Sequence, residues 1–214
     1  MIPLEAKMHR NNKRFVALLL GIFLPMVMAD LTKAQNPVRV IIGVQVKSGK
    51  NFFWTRTNNR LKAGDSLRVY VIPASEAYIY VVHTDRKNVT LLNDKTASTR
   101  TQKDSLLILP STNAYYRIDG ASEIEQFTIV CSPTERTDIV KLFGAHEISY
   151  SSWTALEKPL LERSKIDLNE VSEKPFTLAG NVRAIGKDSL AAAKLKTFTG
   201  DSLLVKRYEF SVEK

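Results

Sequence analysis

The sequence predicts a mainly β domain, an antiparallel β-sandwich or barrel-like fold, with a helical insertion toward the C-terminus and a closing terminal strand. Three observations carry this expectation. From Pro37 to Ser132 apolar residues recur with period two. Short runs rich in Val, Ile, Tyr and Phe are punctuated by Gly, Asp, Asn and Ser. Helix signals begin only at Ser132.

The elements follow in order. "VRVIIGVQVK" (Val38 to Lys47) is a strand, followed by the turn "SGKN" and the aromatic cluster Phe52-Phe53-Trp54. In "SLRVYVI" Leu67, Val69 and Val71 share one face, and Arg68 and Tyr70 take the other. "AYIYVVHT" (Ala77 to Thr84) lacks alternation and reads as a strand buried on both faces. The polar bend "DRKN" then leads to a strand at Val89 to Leu92. The polar stretch from Asn93 to Asp104 is expected to be a surface loop, and further strands are expected at Leu106 to Leu109, Tyr115 to Ile118 and Glu125 to Ser132.

"SPTERTDIVKLFG" places Ser132 as N-cap, Pro133 at the first helical position, Glu135 three residues after the cap and Gly144 at the exit. The spacing predicts a helix over 133–143 with Ile139, Val140, Leu142 and Phe143 on its apolar side. A second helix is expected from Trp153 to Arg163, broken at Pro159. "DSLAAAKLK" near Leu190 suits a short helix. The terminal "DSLLVKRYEFSV" returns to strand, with Leu204, Lys206, Tyr208 and Phe210 alternating. So late a strand is expected to close the first sheet, because alone it leaves backbone groups unpaired. The organisation is therefore a single domain over 36–214, with core strands at 36–133, a helical segment at 133–170 and a C-terminal segment at 175–214.

The segment before this domain has a different character. Lys7, Arg10, Lys13 and Arg14 precede the apolar run Phe15 to Ala29, which is short for a bilayer span of about twenty residues. A basic stretch followed by a short apolar one is the pattern of a secretory signal peptide over 1–34, with cleavage expected after Ala34 or after Ala29. Removal of 1–34 leaves 26 basic against 20 acidic side chains, a net charge of +6. The expected location is periplasmic or extracellular, with no transmembrane anchor in the mature chain. The one cysteine, Cys131, permits no intrachain disulfide, so stability must come from core burial. Scattered basic residues without aromatic interleaving or metal-finger spacing argue against nucleic acid.

Candidate chemistry is sparse. "GDSL" occurs at Gly64 to Leu67 and at Gly200 to Leu203, with an echo in "KDSLLIL" from Lys103. The four letters resemble the GDSL esterase motif, in which a strand precedes the serine and a helix follows. Here polar residues precede Ser66 and a strand follows it. Neither His83 nor His146 has the aspartate three residues upstream that the family carries. Gly-Asp-Ser is instead expected to turn the backbone into a strand, glycine supplying unusual backbone angles and Asp and Ser bonding back to nearby amides. His83 is expected to be structural, and Cys131 to be a buried inert thiol. Glu123 and Glu125 fall on one side of an extended chain without further oxygen ligands for a cation. No cofactor, metal or catalytic residue is expected.

Residues from about Phe52 to Pro133 resemble the bacterial domain-of-unknown-function family 4384. The resemblance rests on Gly64-Asp65, Tyr78-Ile79-Tyr80, Leu91-Leu92, Leu109-Pro110 and Ile129 to Pro133. The sequence departs from that pattern at Ala121, where the family places a glycine, with Gly120 one step early. The resemblance implies an exported β-rich module, in some chains attached to enzymatic domains. The expected function is accordingly a non-enzymatic accessory or binding module. Its expected partner is an envelope or secreted protein, or an anionic surface polymer. Phe52, Phe53, Tyr115 and Tyr116 are the candidate contact residues, and Trp54 is expected in the core. A secreted hydrolase with an unrecognised site and a structural envelope subunit are the competing readings.

Overall fold

A computed structural model describes residues 37–55, 59–93, 100–144, 148–164 and 195–213, and Asn36–Lys214 form one compact unit. The basic and apolar leader, the candidate helix near Leu190 and His146 lie outside the described residues. The described residues form β1 (Val38–Ser48), β2 (Asn51–Thr55), β3 (Arg60–Lys62), β4 (Ser66–Pro73), β5 (Ala77–Thr84), β6 (Val89–Leu91), β7 (Arg100–Thr101), β8 (Leu107–Leu109), β9 (Tyr116–Arg117) and β10 (Ile124–Ser132). Helices α1 (Thr137–Phe143) and α2 (Tyr150–Ser164) follow, then β11 (Lys196–Gly200) and β12 (Leu204–Glu213).

The strands make two sheets of six. Sheet A has the order β11-β1-β4-β8, with β2 also on β1 and β9 also on β4; sheet B has the order β3-β12-β10-β5-β6, with β7 also on β5. The sheets remain separate, so the architecture is a sandwich and not a closed barrel. All pairings are antiparallel except β3 with β12, which run parallel.

Period two explains the core. Val38, Val40, Ile42, Val44 and Val46 of β1 join Leu67, Val69 and Val71 of β4 on the inner face of sheet A. Ile79 and Val81 of β5, Phe127, Ile129 and Cys131 of β10, and Leu204, Tyr208 and Phe210 of β12 answer them from sheet B. Each such side chain, fully buried, contributes about 1.5–3 kcal/mol before entropy is counted. Burial pushes the Cys131 thiol well above its ordinary value, which keeps it protonated.

A second cluster forms on the outer face of sheet B, where Tyr80, Val82, Val130 and Val205 meet Ile139 of α1 and Trp153 and Leu160 of α2. The chain is thus three layers deep on that side. Polar contacts fix α2 in place: the buried Glu157 carboxylate accepts hydrogen bonds from Thr128 Oγ1 at 2.5 Å and Arg207 Nε at 3.2 Å. Ser164 Oγ accepts from the amide of Val205 at 2.7 Å.

Several expectations are corrected. Ser132 does not cap a helix; it is the last residue of β10 and pairs with Tyr78, so its backbone is committed to the sheet. Its hydroxyl accepts from the Thr134 amide at 3.3 Å in a tight turn. The helix begins at Thr137 with Arg136 at the cap and no side-chain cap bond. Val140 is 45% exposed and not on the packed side of α1, which presents Ile139. Pro159 does not break α2, since both it and Ala155, whose carbonyl loses its helical donor, face solvent. Asn93 is not in a solvated loop. It is fully buried, its Oδ1 accepting from Val81 N at 3.1 Å and its Nδ2 donating to the Ile79 carbonyl at 2.7 Å. The last strand, β12, belongs to sheet B between β10 and β3; it is the unanticipated β11 that joins β1 in sheet A.

The Asp-Ser-Leu segments explain how the chain passes between sheets. Gly64-Asp65-Ser66 links β3 of sheet B to β4 of sheet A, Asp104-Ser105 links β7 of sheet B to β8 of sheet A, and Gly200-Asp201-Ser202 links β11 of sheet A to β12 of sheet B. Gly64 has φ +92° and Asp104 has φ +57°, in the region where glycine and aspartate are tolerated. Gly200 is required for a different reason: a Cβ there would stand 2.3 Å from the Leu203 carbonyl oxygen.

Gly200→Ala is therefore expected to cost about 3 kcal/mol through backbone overlap. Gly49→Ala, at φ +58° with open space around it, should cost only about 1–2 kcal/mol. Urea denaturation of both variants checks this, and an equal or smaller loss for Gly200→Ala contradicts the corner geometry.

Candidate functional site

Among the described residues no helix lies on the outer face of sheet A, and the register shows which side chains that face carries. Lys47 stands opposite Phe52 on one side and Ser66 on the other, and Ser66 stands opposite Arg117. One row across four strands therefore reads Phe52, Lys47, Ser66, Arg117. The next reads Trp54, Gln45, Arg68, because Gln45 faces both Trp54 and Arg68. Tyr70 follows, opposite Gly43 and Ile108.

Directly opposed side chains in a sheet are close enough to act together, and here they form a mixed aromatic and cationic surface. The Phe52 and Tyr115 rings lie 6.4 Å apart, tilted by 42°. Lys47 Nζ is 5.8 Å from the centre of each. The Arg68 guanidinium stacks on Tyr115 at 3.9 Å, donates from Nε to the Ala114 carbonyl at 3.1 Å, and reaches Tyr70 Oη at 3.3 Å. Tyr70 Oη in turn is 3.2 Å from Gln45 Oε1. Trp54 packs on Tyr70 with centroids 5.1 Å apart. A Cβ at Gly43 would meet Leu195 Cδ2 at 2.2 Å and the Trp54 ring at 2.8 Å, so the lack of a side chain at 43 makes room for both.

Arg68 is only 4% exposed, yet among the described residues it has no carboxylate partner. A buried guanidinium is ordinarily paired with an acid. Here neutral acceptors and an aromatic face hold it. The strands of sheet A carry Arg39, Lys47, Arg68, Arg117 and Lys196 and no Asp or Glu; the strand carboxylates Glu125, Glu209 and Glu213 all belong to sheet B. Among the described residues the strands of this sheet thus bring cations and no carboxylate, with Lys47, Arg68 and Arg117 on its outer face.

The four aromatic candidates separate into two groups. Phe52, 54% exposed, and the half-buried Tyr115 come together on this outer face. Phe53 stands opposite Val46, toward the core side at the end of the hairpin, and keeps 37% of its surface exposed. Tyr116 stands opposite Leu67, and its ring lies 6.5 Å from that of Phe127 in the core. Lys47, Arg68 and Gln45 escaped the sequence reading, which follows alternation along one strand and carries no information on which strands lie side by side.

The other sequence candidates are placed elsewhere. His83 Nε2 lies 2.5 Å from Glu125 Oε2, a contact that joins β5 and β10 on the core side near the sheet end, beside Phe127 at 4.8 Å. Glu123 is exposed and Glu125 is turned inward to His83, so the two do not form a cation site. Among the described residues no group of three or more His, Cys, Asp or Glu is placed to hold a metal. Ser66 faces outward beside Lys47, on the far side of sheet A from His83, and no hydrogen bond among the described residues joins Ser66 or Ser202 to an imidazole.

Gly64 to Ser66 form the expected turn. Asp65 Oδ2 accepts from Lys62 N at 2.9 Å, and the Asp65 amide donates to the Lys62 carbonyl at 3.0 Å. The buried Ile118 ties the corner down, Gly64 N donating to the Ile118 carbonyl and Ile118 N to the Asp65 carbonyl, both at 2.8 Å.

No protein-family model matches the chain, no curated protein shows significant similarity to it, and no solved structure is significantly similar. No helix among the described residues is long and apolar enough to cross a membrane.

Since the Asp65 carboxylate ties the corner and the Ser66 hydroxyl does not, Asp65→Ala should cost about 1–2 kcal/mol and Ser66→Ala under about 0.5 kcal/mol. Thermal melts of the two variants provide the check; a larger loss for Ser66→Ala would reverse the assignment of the turn.

Proposed function

We propose that the protein is an exported, non-enzymatic binding module and that the outer face of sheet A holds an anionic polymer of the cell surface. The observation that carries this reading is the pairing of Lys47 and the buried Arg68 with the rings of Phe52 and Tyr115 on a sheet whose described strands carry no acidic residue. Cations arranged beside exposed aromatic rings suit a ligand with repeated negative charge and apolar faces. Export is supported by the basic and apolar leader over 1–34. The resemblance of residues 52–133 to family 4384, whose modules are in some chains attached to enzymatic domains, supports an accessory or binding role.

The energetics favour a retained function for Arg68. A buried guanidinium without an acid is a costly group, and an apolar side chain of similar length is commonly neutral or stabilising in such a place. Arg68→Met is thus expected to leave stability unchanged or raised while removing the charge at the centre of the face.

The test is titration of the protein with polygalacturonate, a carboxylated polysaccharide, and with uncharged dextran as control. Binding to the polyanion is expected, weakening about tenfold or more between 0.05 and 0.3 M salt as screening grows. Phe52→Ala and Lys47→Ala should each weaken it about twofold to fivefold, the size of an exposed cation and ring contact, with melting temperatures unchanged. Equal affinity for dextran, or full binding by the Phe52→Ala, Lys47→Ala and Arg68→Met variants, would refute the assignment of this face. Capture of a protein partner by the variants as well as by the wild type would do the same.

A further inference from the structure

The tripeptide Asp-Ser-Leu occurs four times, at Asp65 to Leu67, Asp104 to Leu106, Asp188 to Leu190 and Asp201 to Leu203. Four of the ten aspartates thus precede Ser-Leu, in a chain where only 16 of the 214 residues are serine, and composition does not account for that frequency. The copy at Asp188 lies outside the described residues. The other three stand at the corners where the chain changes sheet.

Corner geometry explains two of the three residue types. Asp65 ties its turn through the Lys62 amide, and Asp104 occupies φ +57°, where aspartate is tolerated. Leu67 and Leu203 are buried, and Leu106 is half-buried just before β8. The serine is different. A serine that serves a turn bonds back to a nearby amide, as Ser132 and Ser149 do toward the amides of Thr134 and Ser152. Among the described residues the hydroxyls of Ser66, Ser105 and Ser202 have no hydrogen-bond partner.

Exposure ranks the three copies. Ser105 ends the exposed run Gln102 to Ser105 between β7 and β8, where a macromolecule can approach it, whereas Ser66 and Ser202 are half-buried.

We propose that Asp-Ser-Leu is an acceptor signal for O-linked glycosylation, with Ser105 the principal site and Ser66 and Ser202 modified to a lesser extent. An acidic group, a small hydroxyl and an apolar side chain in succession give a transferase three chemically distinct points to read. In the reaction the serine Oγ attacks the anomeric carbon of a sugar activated as its diphosphate ester. The bond from that carbon to the diphosphate oxygen breaks, diphosphate leaves with the electron pair, and the hydroxyl proton passes to a base of the transferase. The neighbouring carboxylate favours a sugar over a phosphoryl group, because phosphate beside aspartate sets like charges together, while a neutral sugar adds only solvated bulk at the surface. The modification requires nothing of the outer face of sheet A and stands independently of the polymer-binding reading.

The test is mass analysis of the protein recovered from the cells that produce it, intact and after peptide mapping, against the same chain made by cell-free synthesis. The recovered protein is expected to be heavier by whole sugar residues, with the peptide holding Ser105 glycosylated at that serine. Ser105→Ala should remove the sugar from that peptide and leave the melting temperature as it was. Asp104→Asn keeps the hydroxyl and a residue type that tolerates positive φ, and should lower occupancy at Ser105 about tenfold or more through loss of the charge that the transferase reads. An unmodified Ser105 in the wild-type protein would overturn the inference whether or not either variant folds. Phosphate in place of sugar would overturn it, and so would unchanged occupancy in Asp104→Asn or equal occupancy of the exposed Ser75 and Ser111, which no aspartate precedes.

Discussion

The passage of the backbone from one sheet to the other without loss of hydrogen bonds is the constraint on which the rest of this fold depends. Two inner faces of valine, leucine, isoleucine and phenylalanine can be stacked only if the strands between them change sheet within a few residues. Each change exposes polar backbone groups that must be bonded again. At Gly64 and Asp65 the bonds return to Lys62 and Ile118. At Asp104 the amide returns to the Pro73 carbonyl at 2.8 Å. Beyond Gly200 the amide of Val205 is taken by Ser164 at the end of α2. The third corner therefore requires the helical layer, and the helix requires the sheet.

Distinct outer layers follow from this frame. Sheet B is covered by α1 and α2, and several of its outward polar groups bond to that layer: Thr128 and Arg207 both bind the buried carboxylate of Glu157, and the amide of Arg136 donates to Tyr80 Oη at 2.9 Å. Sheet A receives no helix among the described residues; there Lys47 lies over rings and Arg68 is held by a ring and a carbonyl group. The same strand alternation that builds the core thus delivers Lys47, Gln45, Arg68 and Tyr70 to one surface. Packing and the proposed binding face are two consequences of one register.

Much of this architecture was legible in the sequence because β alternation is local. The faces of "SLRVYVI" divide as the pattern indicates, Leu67, Val69 and Val71 inward and Arg68 and Tyr70 outward. The turn at Gly64-Asp65 was legible for the same reason. What failed was non-local. Ser132 carries every mark of a helix cap, but pairing with Tyr78 outweighs the local preference. Asn93 reads as loop because its two bonds to β5 are invisible in its neighbours along the chain. Strand order was out of reach, and with it the meeting of Phe52 with Tyr115 and the assignment of β11 and β12 to different sheets. Tyr115 and Tyr116 illustrate the limit: adjacent residues of one type must face opposite ways, and composition cannot say which faces out.

Amide hydrogen exchange read residue by residue tests the corner account most directly, because Gly64 and Asp104 sit at exposed positions yet donate hydrogen bonds to Ile118 and Pro73. If the corners hold the sheets together, those two amides and that of Ile118 exchange as slowly as the amides of β10, opening only with the whole domain. Exchange of Gly64 and Asp104 at the rate of a free turn, while β10 stays protected, would show that the sheets are held by their core alone and would contradict the account.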